Sequence, residues 1–247
     1  MAEHPHESGT DRSTDLDDSA GAPGLVEALR TTGAVREFQD RPVSRAVLGR
    51  VFDAARFAPN GGNQQAWRVV LVEEPAARRS MRDLYVEGWS RYLAMRVAGV
   101  QPWAPIGDRS AEASALEADL DMEPGGFARH FDQVPVMAVV LADLRLLAAT
   151  DRDLGRHTIV GGASIYPFVW SVLLAARAEG LGGVITTMNV VHEPEVKALL
   201  DVPDEFAVAA VLALGYPIER ATKLRRAPID SFVTVDSFDG TPLTSEM

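Results

Sequence analysis

The residues best suited to chemistry in this chain are side-chain amides and guanidiniums. In Ala58-Pro59-Asn60-Gly61-Gly62-Asn63-Gln64-Gln65-Ala66-Trp67 the amides of Asn60, Asn63 and Gln65 crowd around two adjacent glycines. Amides both donate and accept, and glycine frees backbone N–H and C=O groups. Such a loop can grip a planar heterocycle that offers both kinds of partner along one edge. A plain helix-to-strand turn with polar filling is the other reading of the same residues. Arg36, within Thr31-Thr32-Gly33-Ala34-Val35-Arg36-Glu37-Phe38, is the second point of interest. Its planar guanidinium can hold a phosphate by two parallel hydrogen bonds, helped by N–H groups around Gly33, or it can pair with Glu37 or Asp40 at the surface. Lys223-Leu224-Arg225-Arg226 is the dense basic run of an acidic protein.

Several chemistries are excluded by what the chain lacks. It has no cysteine, so disulfides, thiolate nucleophiles and cysteine-ligated clusters are out, and redox chemistry must come from a cofactor. A net charge of -11 argues against nucleic acid as a partner. Ser164 lacks the second glycine of a nucleophile elbow, and no strand leads into it. Gly180-Leu181-Gly182-Gly183 follows a helix and enters a strand, the reverse of a dinucleotide fingerprint, so a Rossmann domain is not expected. His4 and His6 are too few for a metal site, and no metal is expected. No apolar run approaches the ~18 residues of a membrane span, and the start of the chain lacks the layout of a signal peptide. The expectation is therefore a cytoplasmic protein with no membrane partner.

Elements must hold these residues in place. Residues 1–24 carry almost no large apolar side chain and are expected to form a disordered acidic tail, leaving 25–247 as the folded domain. Leu25, Val26, Ala28 and Leu29 suit a short helix ended by Gly33. Ser44 reads as the N-cap of a helix in which Val47, Leu48, Val51, Phe52, Ala55 and Ala58 recur at helical spacing, delivering the chain to the amide loop. Residues 67–72, 134–142 and 206–214 read as buried strands, and 184–189 as a strand or extended loop. Pro75 and Pro194 suit first turns of helices. The spacing predicts the longest helix at 161–180, apolar nearly all round and therefore interior or at a subunit interface. Residues 232–238 alternate like an edge strand. Between about 85 and 130, Tyr85, Trp89, Tyr92 and Trp103 with Pro102 and Pro105 look like a lid-like insertion over a pocket. Its aromatics suit either substrate stacking or core and dimer contacts.

Taken in order, these pieces resemble the FMN-dependent nitroreductase family. The resemblance is carried by Val35-Arg36-x-Phe38 with Pro42-Val43, by Ala58-Pro59-x-Gly61-x-Asn63-x-Gln65-x-Trp67 and its strand, by Gly180-Leu181-Gly182, and by Leu214-Gly215-Tyr216-Pro217 with the basic run. It covers residues 25–238. It implies an α+β fold with a central, mainly antiparallel sheet flanked by helices. It also implies an intertwined homodimer with C-terminal strand exchange and an FMN site at the interface. Under it, Thr32, Gly33, Ala34, Arg36, Lys223 and Arg225 hold the ribityl phosphate. Pro59, Asn60, Gly61 and Asn63 reach the ring from the other subunit, with Gln65 near the same edge. Thr186, Thr187 and Met188 pass N5 and offer a backbone N–H. The chain departs from the family at Gly33-Ala34, where an arginine-serine pair is usual, and at Asn60, often a serine.

The implied activity is ping-pong hydride transfer from NADH or NADPH through flavin N5 to a small organic acceptor of the nitroaromatic, quinone or activated-alkene class. The chemistry is flavin-borne, so no catalytic acid or base is named. Trp89, Tyr92 and Trp103 are the candidate acceptor contacts. Three readings stand beside this one. A non-catalytic flavin-binding or storage protein would bind FMN without turnover by NAD(P)H. A deazaflavin user would suit the altered Gly33-Ala34 segment. The third is a natural-product-tailoring oxidoreductase.

Overall fold

The computed structural model describes residues 23–118 and 125–244. The expected acidic tail lies outside the described residues except for 23–24, as does the part of the lid region at 119–124. The framework is a four-stranded sheet of β1 (Trp67–Leu71), β2 (Val136–Asp143), β3 (Gly182–Thr186) and β4 (Phe206–Gly215). The order is β1-β2-β4-β3, and every neighbouring pair is antiparallel. Seven helices surround it: α1 (Leu25–Thr31), α2 (Arg45–Ala55), α3 (Pro75–Val97), α4 (Arg109–Glu117), α5 (Gly126–Arg129), α6 (Tyr166–Ala178) and α7 (Glu193–Leu199), counted among the described residues. This is the expected α+β architecture.

Both faces of the sheet are covered, which is why β2 reads as an unbroken apolar run. Val136, Ala138, Val140 and Ala142 share a core with Leu48, Val51 and Ala55 of α2 and with Phe168, Val169 and Val172 of α6. Trp67 stacks on Phe168 in that layer, with ring centroids 4.6 Å apart. Met137, Val139 and Leu141 meet Met81 and Tyr85 of α3, Phe131, and Val196 of α7 on the other face. Each large aliphatic side chain buried this way contributes about 1.5–3 kcal/mol. A bulge shifts the register between Val140 and Leu141, whose partners are Ala210 and Val208. The passed-over Ala209 flips the pleat, so Val208 and Val211 lie in the same layer as α3. Its carbonyl accepts a hydrogen bond from the Tyr166 hydroxyl at 3.2 Å.

Local signals set the helix starts. The Ser44 hydroxyl accepts the Val47 N–H at 3.3 Å, capping α2, and Glu74 accepts the Ala77 N–H at 2.6 Å ahead of Pro75 in α3. α2 stops at Ala55, short of the predicted Ala58, which is nevertheless buried. At the base of the excursion between β1 and β2, Arg78 donates to the carbonyls of Val72 (2.9 Å), Asp132 (2.8 Å) and Val134. Burial pushes its pKa down, while Asp132 and Glu73 pull it back up.

The fold corrects three expectations. The longest helix is α3, with 23 residues; the 161–180 run divides into a 3-10 turn at Val160–Ser164 and α6, with Pro167 fixing the first turn of the latter. That stretch, Val160–Ala178, is long and apolar enough by composition to cross a membrane, contrary to the reading that no run is. In the fold its Phe168, Val169, Val172, Leu173 and Ala176 are buried against the sheet. Residues 232–238 form no strand. They follow a 3-10 turn at Ile229–Ser231 and enter a loop closed by a Thr234–Pro242 bridge, with Phe232 and Phe238 exposed. An alternating segment becomes a strand only where a sheet edge is offered to it, and within its own chain this one meets none.

Candidate functional site

Two of the sequence motifs prove to be halves of one joint. The Val35 N–H donates to the Gly183 carbonyl at 2.9 Å, and Ala34 bridges Gly183 in parallel. Two and four residues on, the Glu37 carbonyl accepts the Ile218 N–H at 3.1 Å and the Gln39 N–H donates to the Tyr216 carbonyl at 2.8 Å. The Arg41 guanidinium lies 3.7 Å over the Tyr216 ring. The joint needs glycine at its centre, because a Cβ on Gly215 would lie 2.6 Å from Pro135 and 2.9 Å from Phe38. Val35-Arg36-x-Phe38 is thus stitched to Leu214-Gly215-Tyr216-Pro217 by backbone pairing and close approach.

This joint brings Thr32–Arg36 and part of the basic run together, although Lys223 lines a separate groove against α1 with Glu27 and Arg30. Gly33 backs onto Leu224, whose Cδ2 would be 2.9 Å from a Cβ there, so the basic run lies beside Thr32–Ala34. Leu224 is half-buried while Lys223 and Arg225 are exposed. Among the described residues neither of those two side chains has a hydrogen-bond or ion-pair partner. Arg36 is exposed and pairs with neither Glu37 nor Asp40, so the surface-pair alternative is not the one adopted. The Thr32 hydroxyl is buried without a partner. A cavity of about 360 Å³ lined by Thr32–Glu37 and β3 runs along this segment, and an open groove of about 910 Å³ lined by Arg36, Arg41, Phe127 and His130 adjoins it; Arg36 lines both. Arg220 also lines the smaller cavity, a residue the sequence reading passed over. It donates to the Leu181 carbonyl at 3.1 Å and to Gly180, closing the end of α6, and burial lowers its pKa. Its position three residues before Lys223 was the available signal.

The end of β3 meets α3. Thr186 is buried, and the Met188 N–H reaches its hydroxyl at 3.4 Å as the chain turns into a 3-10 segment, Met188–His192. Tyr85 is buried here; burial pushes its phenol pKa up, opposed by Thr186 and by the Arg36 charge. It stacks on Phe131 at 4.3 Å and belongs to the core. The other three aromatics come together: Trp89 stacks on Tyr92 at 5.0 Å and Tyr92 on Trp103 at 6.5 Å.

The amide loop is a 3-10 turn, Gly61–Asn63, in which Gly62, Asn63 and Gln65 all have left-handed backbone (φ 60°, 53° and 49°). The Asn60 side chain is used inside it, donating to the Ala58 carbonyl at 3.2 Å and accepting the Gln65 N–H at 2.8 Å. The Gly61 N–H donates to Ser164 Oγ at 3.0 Å, so Ser164 anchors the loop. Pro59, Asn63 and Gln65 remain exposed. No residue of this loop lines either cavity that meets at Arg36. Within one chain the amide loop and the Arg36 region therefore stand apart.

Comparison with known proteins follows the same lines. The model of the Nitroreductase family matches residues 29–216. The chain is 29% identical over 205 residues to an NADH dehydrogenase of Thermus thermophilus, covering 81% of this chain and 90% of that one. It is 30% identical over 212 residues to a 5,6-dimethylbenzimidazole synthase of Rhodospirillum rubrum, covering 84% and 89%. Among solved structures, an oxidized iodotyrosine deiodinase bound to FMN and 3-iodo-L-tyrosine shares the fold with a TM-score of 0.62 at 20% identity, over 87% of this chain and 100% of that one.

Proposed function

The chain belongs to the nitroreductase family, and from that premise we propose that it is an FMN-dependent oxidoreductase using NADH or NADPH to reduce a small organic acceptor. The observation that carries the reading is the cavity along Thr32–Glu37, lined by Thr32, whose buried hydroxyl has no partner, and by the unpaired Arg36, with Leu224 of the basic run packed against Gly33 beside it. An orphaned buried hydroxyl and unpaired cations cost stability or contribute none until an anion meets them. A phosphate ester fits that set. Of the Gly33-Ala34 pair, Ala34 is the one whose backbone N–H would serve in place of the side chains usual in the family, since the Gly33 N–H donates to the Thr31 carbonyl at 3.0 Å. Arg36, whose charge reaches Tyr85 beside Thr186, extends the positive field from the phosphate end toward the end of β3.

When bound, FMN would supply hydride chemistry between a nicotinamide and the acceptor. The protein binds, orients and excludes water. Thr32, Arg36, Lys223 and Arg225 would hold the phosphate, the Thr186–Met188 backbone would face the ring, and Trp89, Tyr92 and Trp103 would wall the acceptor side. Because one chain keeps the amide loop away from Arg36, a homodimer whose other subunit supplies Pro59, Asn63 and Gln65 completes the ring site. The FMN-bound deiodinase and the NADH dehydrogenase support flavin and nicotinamide respectively, and the acceptor is assigned by class as nitroaromatic, quinone or activated alkene.

The test is the visible spectrum of the purified protein, followed by anaerobic NADH and then NADPH, with the released cofactor identified by mass. Yellow protein carrying FMN and bleached by a nicotinamide is expected. Colourless protein that FMN does not reconstitute overturns the reading, and bound FMN that neither nicotinamide reduces leaves a binding protein.

A further inference from the structure

Met81, Tyr85 and Gly88, spaced i, i+4 and i+7, form the face of α3 that lies along the chain leaving β3. Three contacts fasten it there. Asn189, fully buried, donates through Nδ2 to the Met81 carbonyl at 2.8 Å, and its Oδ1 has no partner. Tyr85 lies against Thr186. A Cβ on Gly88 would fall 2.5 Å from the Met188 carbonyl oxygen and 3.2 Å from its carbon. Glycine is the poorest helix former after proline, and Gly88 has no left-handed backbone to justify it inside a helix of 23 residues. The close approach to Met188 is what requires it. The opposing atom is backbone, which cannot swing aside as a side-chain tip does.

We propose that Gly88 and Asn189 are positioning residues that dock α3 on the Thr186–Asn189 backbone and so fix the height and tilt of the peptide groups this segment turns toward the flavin. The inference rests on the flavin reading above. Neither residue needs to touch the cofactor; each acts through the Met188 peptide. A methyl group at position 88 must displace that peptide by about 1 Å to reach ordinary contact distance, and a misplacement of that size costs on the order of 100-fold in rate where groups are aligned on a reacting atom. Trp89 and Tyr92 ride on the same helix, so one contact sets both the flavin-facing backbone and the acceptor wall.

Gly88→Ala and Asn189→Ala test this by two readouts. In the protein freed of flavin, amide hydrogen exchange over 186–192 is expected to rise by about tenfold or more, with β2 and β4 unchanged. In the FMN-loaded protein, anaerobic single-turnover reduction by NADH is expected to slow on the order of 100-fold and the visible band to shift, while FMN affinity changes less than about threefold. Raised exchange with an unchanged reduction rate and spectrum overturns the positioning role, as does unchanged exchange in both variants. Should Gly88→Ala fail to fold, Asn189→Ala, which adds no volume, decides alone. Wild-type protein that takes up no FMN overturns the flavin reading and the proposal with it, a failure distinct from that of the variants.

Discussion

Among the described residues Lys223 and Arg225 meet no ion-pair or side-chain hydrogen-bond partner, so their loss should cost the fold little. Arg225→Ala is expected to leave the thermal midpoint of the flavin-free protein unchanged while weakening FMN by about 1.5–3 kcal/mol, roughly ten- to a hundredfold, read by fluorescence titration. Unchanged affinity removes Arg225 from the site. Asp151 shows the opposite case. It is buried and accepts the Ile159 and Val160 N–H groups and the Arg156 guanidinium, and the Ile159 N–H leads in holding its pKa below the ordinary value. A depressed folded pKa contributes stability above the unfolded value of about 3.9 that is lost as pH falls below it. Asp151→Asn should lower the thermal midpoint at neutral pH and flatten its decline in acid; an unaltered acid limb would assign that decline to other carboxylates. Residue type alone marked Arg36, Asn63 and the basic run as candidates. It could not reveal that Asn60 spends its amide inside the loop, that Ser164 anchors Gly61, or that Thr32 is left unpaired, because each depends on which atoms the fold brings within 3 Å or so.

Helix starts and strands were legible because their causes are local. Ser44 and Pro75 act within one turn, and β2 advertises two covered faces by an unbroken apolar run. Ser44→Ala should cost about 1 kcal/mol, measured by denaturant unfolding. The joint between residues 34–39 and the end of β4 was legible only as two separate motifs, since pairing across the chain leaves no local periodicity. Gly215→Ala, which forces a methyl between Pro135 and Phe38, should cost about 1–3 kcal/mol; a smaller loss would mean that the joint yields. The α6 region misled because apolar composition does not register the break before Tyr166. For the aromatic stack, replacing Trp89 and Trp103 together by alanine should change preference among nitroaromatic, quinone and alkene acceptors more than flavin content. Equal effects on all acceptors would return the stack to a packing role.

At the scale of the molecule, what the chain lacks by itself is as informative as what it has. The amide loop and the Arg36 crossing face no common cavity, and Phe232, Val235 and Phe238 project from a C-terminal segment without a sheet edge to join. If these side chains cover a second subunit, each contributes about 1.5–3 kcal/mol. Removing residues 229–247 should then weaken self-association by at least about a hundredfold in sedimentation and release FMN; a truncated chain that stays dimeric and yellow would place the interface elsewhere. Alternation at 232–238 does not say whether a sheet edge is there to receive it, which is why the sequence suggests a strand where the described fold has none. Within the chain, Arg78 leaves a different legacy. It fastens both ends of the stretch between β1 and β2 through main-chain carbonyls, which every amino acid possesses. The ends of that excursion are therefore held whatever residues stand at positions 72, 132 and 134, while Met81, Tyr85 and Phe131 inside it stay tied to the sheet as core, so sequence change is freest past the end of α3.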